Sequence, residues 1–346
     1  MTVFAYGSKL PGVSHTAIGK LCEDNFCISG THAGAVIAAV CDGVGSDAHA
    51  EMASAVASRA AVEYCAAKIQ PAMRGDSVEA MIYQAMNAAY VAVEEAANQA
   101  SFDRRHCNTT LDVAVLVRDD LYFGHIGDSG IFAMLDDGTI RPITHQQNDE
   151  NGGVFPLFDR SHWITGQVDG RVAAVLLSTD GMWSYFHPKR SPDAKDKHSI
   201  ALLDWFMDPG FIPVRTKDTD DPTQALQAWL DTEMAYLNEN CVQEVLGDDI
   251  TVVVLQDTEV PICYQPDAYY KVPTDFEDED CHGVEQSVND SQETAPTALD
   301  DARLANPAQN VDTLLEVIDP VPAPKHSADE MDDESPGPGG HVNGLG

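Results

Sequence analysis

Residues 40–61, VCDGVGSDAHAEMASAVASRAA, begin as an apolar strand, break at Asp42-Gly43 and continue as an alanine-rich helix. Asp-Gly is ordinary turn chemistry, because Asp caps a turn and Gly accepts positive φ. Upstream, GAVIAAVC at 34–41 is a continuous apolar run bounded by turn residues, the pattern of a strand buried on both faces. One carboxylate at the end of such a strand decides nothing. Several would, since the strands of one sheet bring their ends together in space.

The chain repeats the device. Asp128 in GDSG, Asp180 in STDGMW, and Asp248 with Asp249 in GDDIT all stand at ends of apolar strands beside glycine, and Glu23-Asp24 in LCEDNF precedes a short strand. Converging carboxylates repel strongly in a low-dielectric cleft unless a cation neutralises them. No His-Cys set accompanies these positions, which points away from zinc and toward the hard, oxygen-seeking ions Mg²⁺ or Mn²⁺. Two such ions about 4 Å apart would activate a bridging water and hold a phosphoryl group for in-line attack.

The surrounding pattern supplies the frame. Ser46 can cap a helix to about residue 69, and Asp76 with Glu79 forms a capping-box pattern for a second helix to about 99. Apolar stretches at 111–117, 121–127, 130–135 and 139–143, separated by Asp-Asp or Asp-Gly turns, read as a β-meander. Further strands are expected at 171–178 and 250–256 and a helix at 223–240, with the Pro- and Asp-containing stretch 187–222 as a surface insertion or flap. The pattern decays after residue 262. Residues 1–262 therefore read as the folded domain and 263–346 as an acidic Pro/Gly-containing tail, mostly disordered from about 275. Within it VDTLLEVI, 311–318, is a short amphipathic run, either a transient helix or a docking segment.

Composition excludes several classes. The 346 residues carry a formal charge of −36, which argues against binding a nucleic-acid backbone. From Cys263 onward there are 19 Asp and Glu against 3 Lys and Arg, so the tail cannot form a core. The start, MTVFAYGSKLPG, lacks the features of a signal peptide, and no apolar run reaches the roughly 18 residues of a membrane span. The expected location is the cytoplasm. The 8 cysteines include no CxxC pair, and Cys41, Cys65 and Cys107 read as buried free thiols. A phosphate-binding GxxxxGK loop is missing, and no heptad pattern speaks to oligomeric state.

Taken in order over roughly residues 8–257, the motifs EDNF, CDGVG, NTTL, GDSG, STDGMW and GDDITVVV resemble those of the metal-dependent protein phosphatase family, the protein phosphatase 2C type, in a divergent bacterial branch. The resemblance implies an α+β fold: a four-layer α-β-β-α sandwich of two mainly antiparallel sheets flanked by helices, with metals in a cleft at one end. It implies that Asp42 bridges two ions, that the Gly43 carbonyl binds the second, and that Asp180 and Asp248 complete the first. Glu23 and Asp24 resemble the pair that holds metal-bound waters, Asp128 with Asp180 resembles a third-metal site, and Asp249 stands where many relatives have Asn. The implied activity is hydrolysis of phosphoserine or phosphothreonine in signal transduction. Its partners would be phosphorylated proteins and a Ser/Thr kinase or its targets.

Four positions depart from the pattern. Gly19 occupies the place of the phosphate-gripping Arg, leaving Lys20 as a point charge without the fork geometry. His15, which this reading sets on a strand, is the other candidate near the phosphate. Val44 replaces a histidine proposed as general acid in some relatives, so His49 becomes a conceivable proton source. Gly130 replaces the Arg of GDSR, and Ser184 replaces a third-metal Asp, which weakens that third site. The contrasting reading is a pseudophosphatase, a phosphoprotein- or kinase-binding module; retention of Asp42, Asp180 and Asp248 argues for the enzyme.

Overall fold

The computed structural model describes residues 2–186, 199–240 and 247–270. The order of elements is β1 (Val3–Leu10), α1 (Val13–Ile18), β2 (Asn25–Ile28), β3 (Ala35–Cys41), α2 (Ala50–Lys68), α3 (Asp76–Ala100), β4 (Leu111–Val117), β5 (Asp120–Ile126), β6 (Gly130–Leu135), β7 (Ile140–Pro142), β8 (Ile164–Gln167), β9 (Val172–Ser178), α4 (Asp180–Phe186), α5 (Ile200–Met207), α6 (Ile212–Arg215), α7 (Pro222–Asn240) and β10 (Ile250–Asp257).

The strands form two five-stranded sheets, β1-β10-β9-β6-β7 and β2-β3-β4-β5-β8, with antiparallel pairing throughout. Alternation of side chains assigns each face. On β3, Ile37 and Ala39 pack against α2 and α3, while Val36, Ala38 and Val40 meet Leu177 of β9 and Val253 of β10 between the sheets. On the far side, Leu176, Val252 and Val254 pack against α5 and α7. The result is helix, sheet, sheet, helix, the expected four-layer sandwich. The edge strand β1 is covered too: the Gln227 side chain of α7 accepts from the Gly7 amide at 3.2 Å and donates to its carbonyl at 2.7 Å.

Several local expectations need correction. The supposed meander is two hairpins in different sheets, β4–β5 in one and β6–β7 in the other, because the turn at 127–129 carries the chain from one layer to the next. Residues 199–222 do not form a surface flap. Helix α5, IALLDWFM, is apolar nearly all round and buries Leu202, Leu203, Phe206 and Met207, as an all-apolar helix must. Ser46 caps nothing; residues 44–49 are spent in turns, and α2 starts at Ala50. Asp76 is the first residue of α3 rather than its cap. His15 sits on the short helix α1, not on a strand, and Gly19 ends that helix in the left-handed region. The packed chain runs past residue 262 to Tyr270, whose hydroxyl donates to the Gly138 carbonyl at 2.8 Å. Cys41, Cys65 and Cys107 are buried free thiols, as expected. Residues 187–198, the tail from 271 and the run at 311–318 lie outside the described residues.

The substitution of GDSG for GDSR has a packing cause. A Cβ on Gly130 would lie 1.8 Å from the Trp183 ring, so the indole of TDGMW occupies the space any larger residue needs. Gly130→Ala is therefore expected to destabilise the protein by about 1–3 kcal/mol, read from the urea unfolding midpoint. A neutral effect would show that the indole yields without cost.

Candidate functional site

Three chain segments that are remote in sequence end at one place. Asp42 leaves β3, Asp128 lies in the turn between β5 and β6, and Asp180 opens α4 after β9. One carboxylate oxygen from each lies within 4.8 Å of the other two. The backbone of Asp42 is pinned from β4: its N–H donates to Thr110 Oγ1 at 2.9 Å, and its carbonyl accepts from Thr110 N at 2.8 Å and Thr109 Oγ1 at 2.7 Å. Thr110 Oγ1 also bonds Ser129 Oγ at 3.0 Å, which ties the β3 end to the Asp128 turn. Gln146 Nε2 donates to the Asp128 carbonyl at 2.9 Å.

Crowded acids in a dry setting hold their protons. Burial first, and then the charges of Asp180, Asp24 and Asp128, push the Asp42 carboxyl far above the ordinary range. Burial followed by Asp180 lifts Asp128 to about 7. A divalent cation would reverse every one of these charge effects, and all donors here are oxygens, the set that suits Mg²⁺ or Mn²⁺. The Gly43 backbone fits the same purpose. A Cβ there would lie 2.8 Å from the Glu23 carbonyl and 2.9 Å from Ala50 Cβ, so only glycine lets this carbonyl-bearing turn approach so closely. By these observations the residues present fit a divalent ion.

The acidic pair takes two different settings. Asp24 is 1% exposed, and its Oδ2 accepts from the hydroxyls of Thr179 at 2.6 Å and Thr251 at 2.8 Å. Burial raises its carboxyl well above the usual range despite those hydroxyls. Glu23 faces Lys20, with 2.7 Å between Nζ and Oε2, and burial raises its carboxyl against the pull of that ammonium. Lys20 Nζ also donates to the Gly45 carbonyl at 3.0 Å. The lysine thus lines an open cleft of about 480 Å³ together with Leu21, Glu23, Asp47, Glu51 and His106.

Two expected residues stand off from the trio. The Asp248 side chain is 60% exposed and neighbours His15, with 3.9 Å between Oδ1 and Nε2. His15 Nδ1 bonds Asp249 Oδ1 at 2.8 Å. His49 stacks on Phe102, ring centroids 3.5 Å apart, which occupies its imidazole face. The Ser184 side chain lies outside those described. The sequence reading missed what holds the acids in place: Thr110, Thr179 and Thr251, and the carboxylate of Asp249, which accepts from Gly12 N at 2.8 Å and Glu23 N at 2.5 Å. Their one signal is position, each lying inside or beside a motif: NTTL, STDG or GDDIT.

No curated protein sequence matches the chain significantly. Among solved structures, the Mycobacterium tuberculosis serine/threonine phosphatase PstP/Ppp is similar at 19% identity and TM-score 0.49, over 74% of this chain and 99% of that one. Stp1, a serine/threonine phosphatase of Staphylococcus aureus, gives 14% identity and TM-score 0.48 over 74% and 96%. PppA of Pseudomonas aeruginosa gives 15% identity and 0.48 over 74% and 98%. The family model described as protein phosphatase 2C spans residues 11–231, more than half of the 346 and including the strand ends that deliver Asp42, Asp128 and Asp180, so the chain belongs to the protein phosphatase 2C family.

Proposed function

We propose that the protein is a metal-dependent phosphoprotein phosphatase that hydrolyses phosphoserine and phosphothreonine. The observation that carries this reading is the meeting of Asp42, Asp128 and Asp180 from three strand ends within 4.8 Å. Those three, with the Gly43 carbonyl, would hold divalent ions, Mg²⁺ or Mn²⁺, and Asp248 would reach them from the rim. When bound, such ions supply an activated water for in-line attack on phosphorus and neutralise the charge that develops there.

The protein's own contribution is positioning. Thr109 and Thr110 fix the Asp42 backbone, and Thr179 and Thr251 fix one oxygen of Asp24, leaving the acids little freedom to relax away from each other. Lys20 presents its ammonium to the cleft beside Glu23 and offers a point charge to the substrate phosphate. His15, with one ring nitrogen turned to Asp249, presents the other at the rim. Phosphorylated proteins are the substrates in this reading, with a Ser/Thr kinase or its targets as partners in cytoplasmic signalling. No helix among the described residues is long and apolar enough to cross a membrane.

Release of inorganic phosphate from phosphoserine and phosphothreonine peptides by the purified full chain tests the proposal. Turnover is expected only with Mn²⁺ or Mg²⁺ and is expected to fall at least about 10²-fold in excess chelator. Unchanged turnover in chelator would overturn the metal-dependent route. The pseudophosphatase reading draws on one observation: Gly19 replaces the expected Arg, and the neighbouring ammonium of Lys20 is already engaged by Glu23. Tight binding of phosphopeptide without phosphate release would establish it.

A further inference from the structure

We propose that His15 and Asp248 form a nitrogen-bearing arm of the metal centre, through which this chain takes a divalent transition ion such as Mn²⁺ in preference to Mg²⁺. The inference deepens the phosphatase reading and rests on its placement of the metal site. Its geometry begins with Asp249, a 2% exposed carboxylate where relatives resembled by this sequence have Asn. That carboxylate accepts three donors from two segments: Gly12 N–H and His15 Nδ1 on Oδ1, both at 2.8 Å, and Glu23 N–H on Oδ2 at 2.5 Å. An amide in its place would turn an NH₂ toward one of those donors, so only the acid accepts all three.

The helix carrying His15 is stapled to the same turn. Ser14 N donates to the Gly247 carbonyl at 3.2 Å, the Ser14 hydroxyl bonds that carbonyl as well, and Lys20 N closes the helix end on the His15 carbonyl at 2.9 Å. A carboxylate only accepts, so the proton of this contact sits on Nδ1 and the ring is fixed with Nε2 facing outward. Facing it is Asp248, 60% exposed, with Oδ1 at 3.9 Å. That distance is too long for a hydrogen bond. It suits two donors of one ion, since bonds of about 2.1 Å put adjacent donors about 3–4 Å apart. A metal-binding imidazole whose other nitrogen donates to a carboxylate is the usual arrangement for such ligands. A purely structural histidine needs no partner for Nε2. Imidazole favours Mn²⁺ and softer ions over Mg²⁺, which prefers oxygen throughout.

Pulsed electron paramagnetic resonance of the full chain loaded with Mn²⁺ reads this directly, because a coordinated imidazole adds a ¹⁴N modulation to the electron spin echo. The modulation is expected in the native protein and is expected to vanish in His15→Ala and in His15→Gln, which keeps a donor for Asp249. Calorimetry should show Mn²⁺ binding weakened about tenfold or more in His15→Ala, with Mg²⁺ binding little changed. Unfolding midpoints of both variants confirm that the domain is intact. No nitrogen signal in the native protein, or one that survives both substitutions, overturns the arm. Mn²⁺-dependent hydrolysis without nitrogen coupling overturns the arm alone, whereas coupling without hydrolysis upholds the arm and overturns the phosphatase reading.

Discussion

Asp42→Asn is expected to reduce phosphate release by about 10²–10³-fold or more and, in the same protein stripped of metal, to raise the unfolding temperature. The two effects have one cause. Asp42 shares a 4.8 Å neighbourhood with Asp128 and Asp180, and burial together with their charges already opposes its ionisation. Removing one acid relieves that repulsion in the metal-free state. A gain of about 1 kcal/mol would appear as about 2–4 °C in a domain of this size. It also removes the oxygen best placed to serve a divalent ion, so the order of stabilities should invert in saturating Mn²⁺, where the native protein gains more from binding. If Asp42 served only its Asp-Gly turn, Asn would replace it well and neither quantity would move. Parallel measurement of phosphate release and of melting with and without Mn²⁺ separates the two cases.

The parts of the site that were legible in sequence are those whose chemistry is local. Asp42, Asp128 and Asp180 each end or follow an apolar run beside glycine, so the period of the strand and the turn together announce them. What joins them was not local. The hairpins β4–β5 and β6–β7 look alike in sequence, and nothing in GDSG says that the turn crosses between sheets, yet that crossing brings Asp128 to Asp42. Helix α5 was hidden for another reason. Its flanking Pro and Asp residues suggested surface, whereas its eight residues are apolar enough to be drawn into the core.

The rim shows the limit of motif reasoning. Order and spacing group Asp248 with the other acids, but the turn that carries it is fastened to α1 by Asp249 and Gly247, and its side chain stands beside His15 instead. His15 was singled out for nearness to a phosphate; its contact with Asp249 depends on a pairing 234 residues apart in the chain, which no window of sequence can display. The threonines were missed because a hydroxyl beside an acidic motif has no periodic signature. Thr179 and Thr251 act on Asp24 from two different strand ends, and the tertiary fold alone brings them together.

In chelator, the stability of the protein is expected to fall as the pH rises from about 4 to about 7, and Mn²⁺ should abolish that slope. The sign follows from Asp128, whose carboxyl is lifted from the ordinary 3.8 to about 7 by burial and by Asp180. A group with a raised folded pKa binds its proton more tightly when folded, so its contribution is complete below about pH 4 and is lost as the pH climbs to about 7. Asp42 and Asp24 are shifted in the same direction by burial and by each other's company. Surface acids act the opposite way: side-chain bonding to Arg171 lowers Asp119 and bonding to Thr139 lowers Asp137, so their contribution is lost only as the pH falls below the ordinary carboxylate range. The metal-free protein should therefore be most stable on the acid side of neutrality. Divalent ions require the ionised acids, so binding should tighten up to about pH 7 and release protons below it. Melting temperatures at pH 5, 6, 7 and 8 with chelator and with Mn²⁺, and calorimetry in buffers of different ionisation enthalpy, measure both consequences. An identical pH slope in the two series would mean that these carboxylates share no ion, and the proposed chemistry would lose its site.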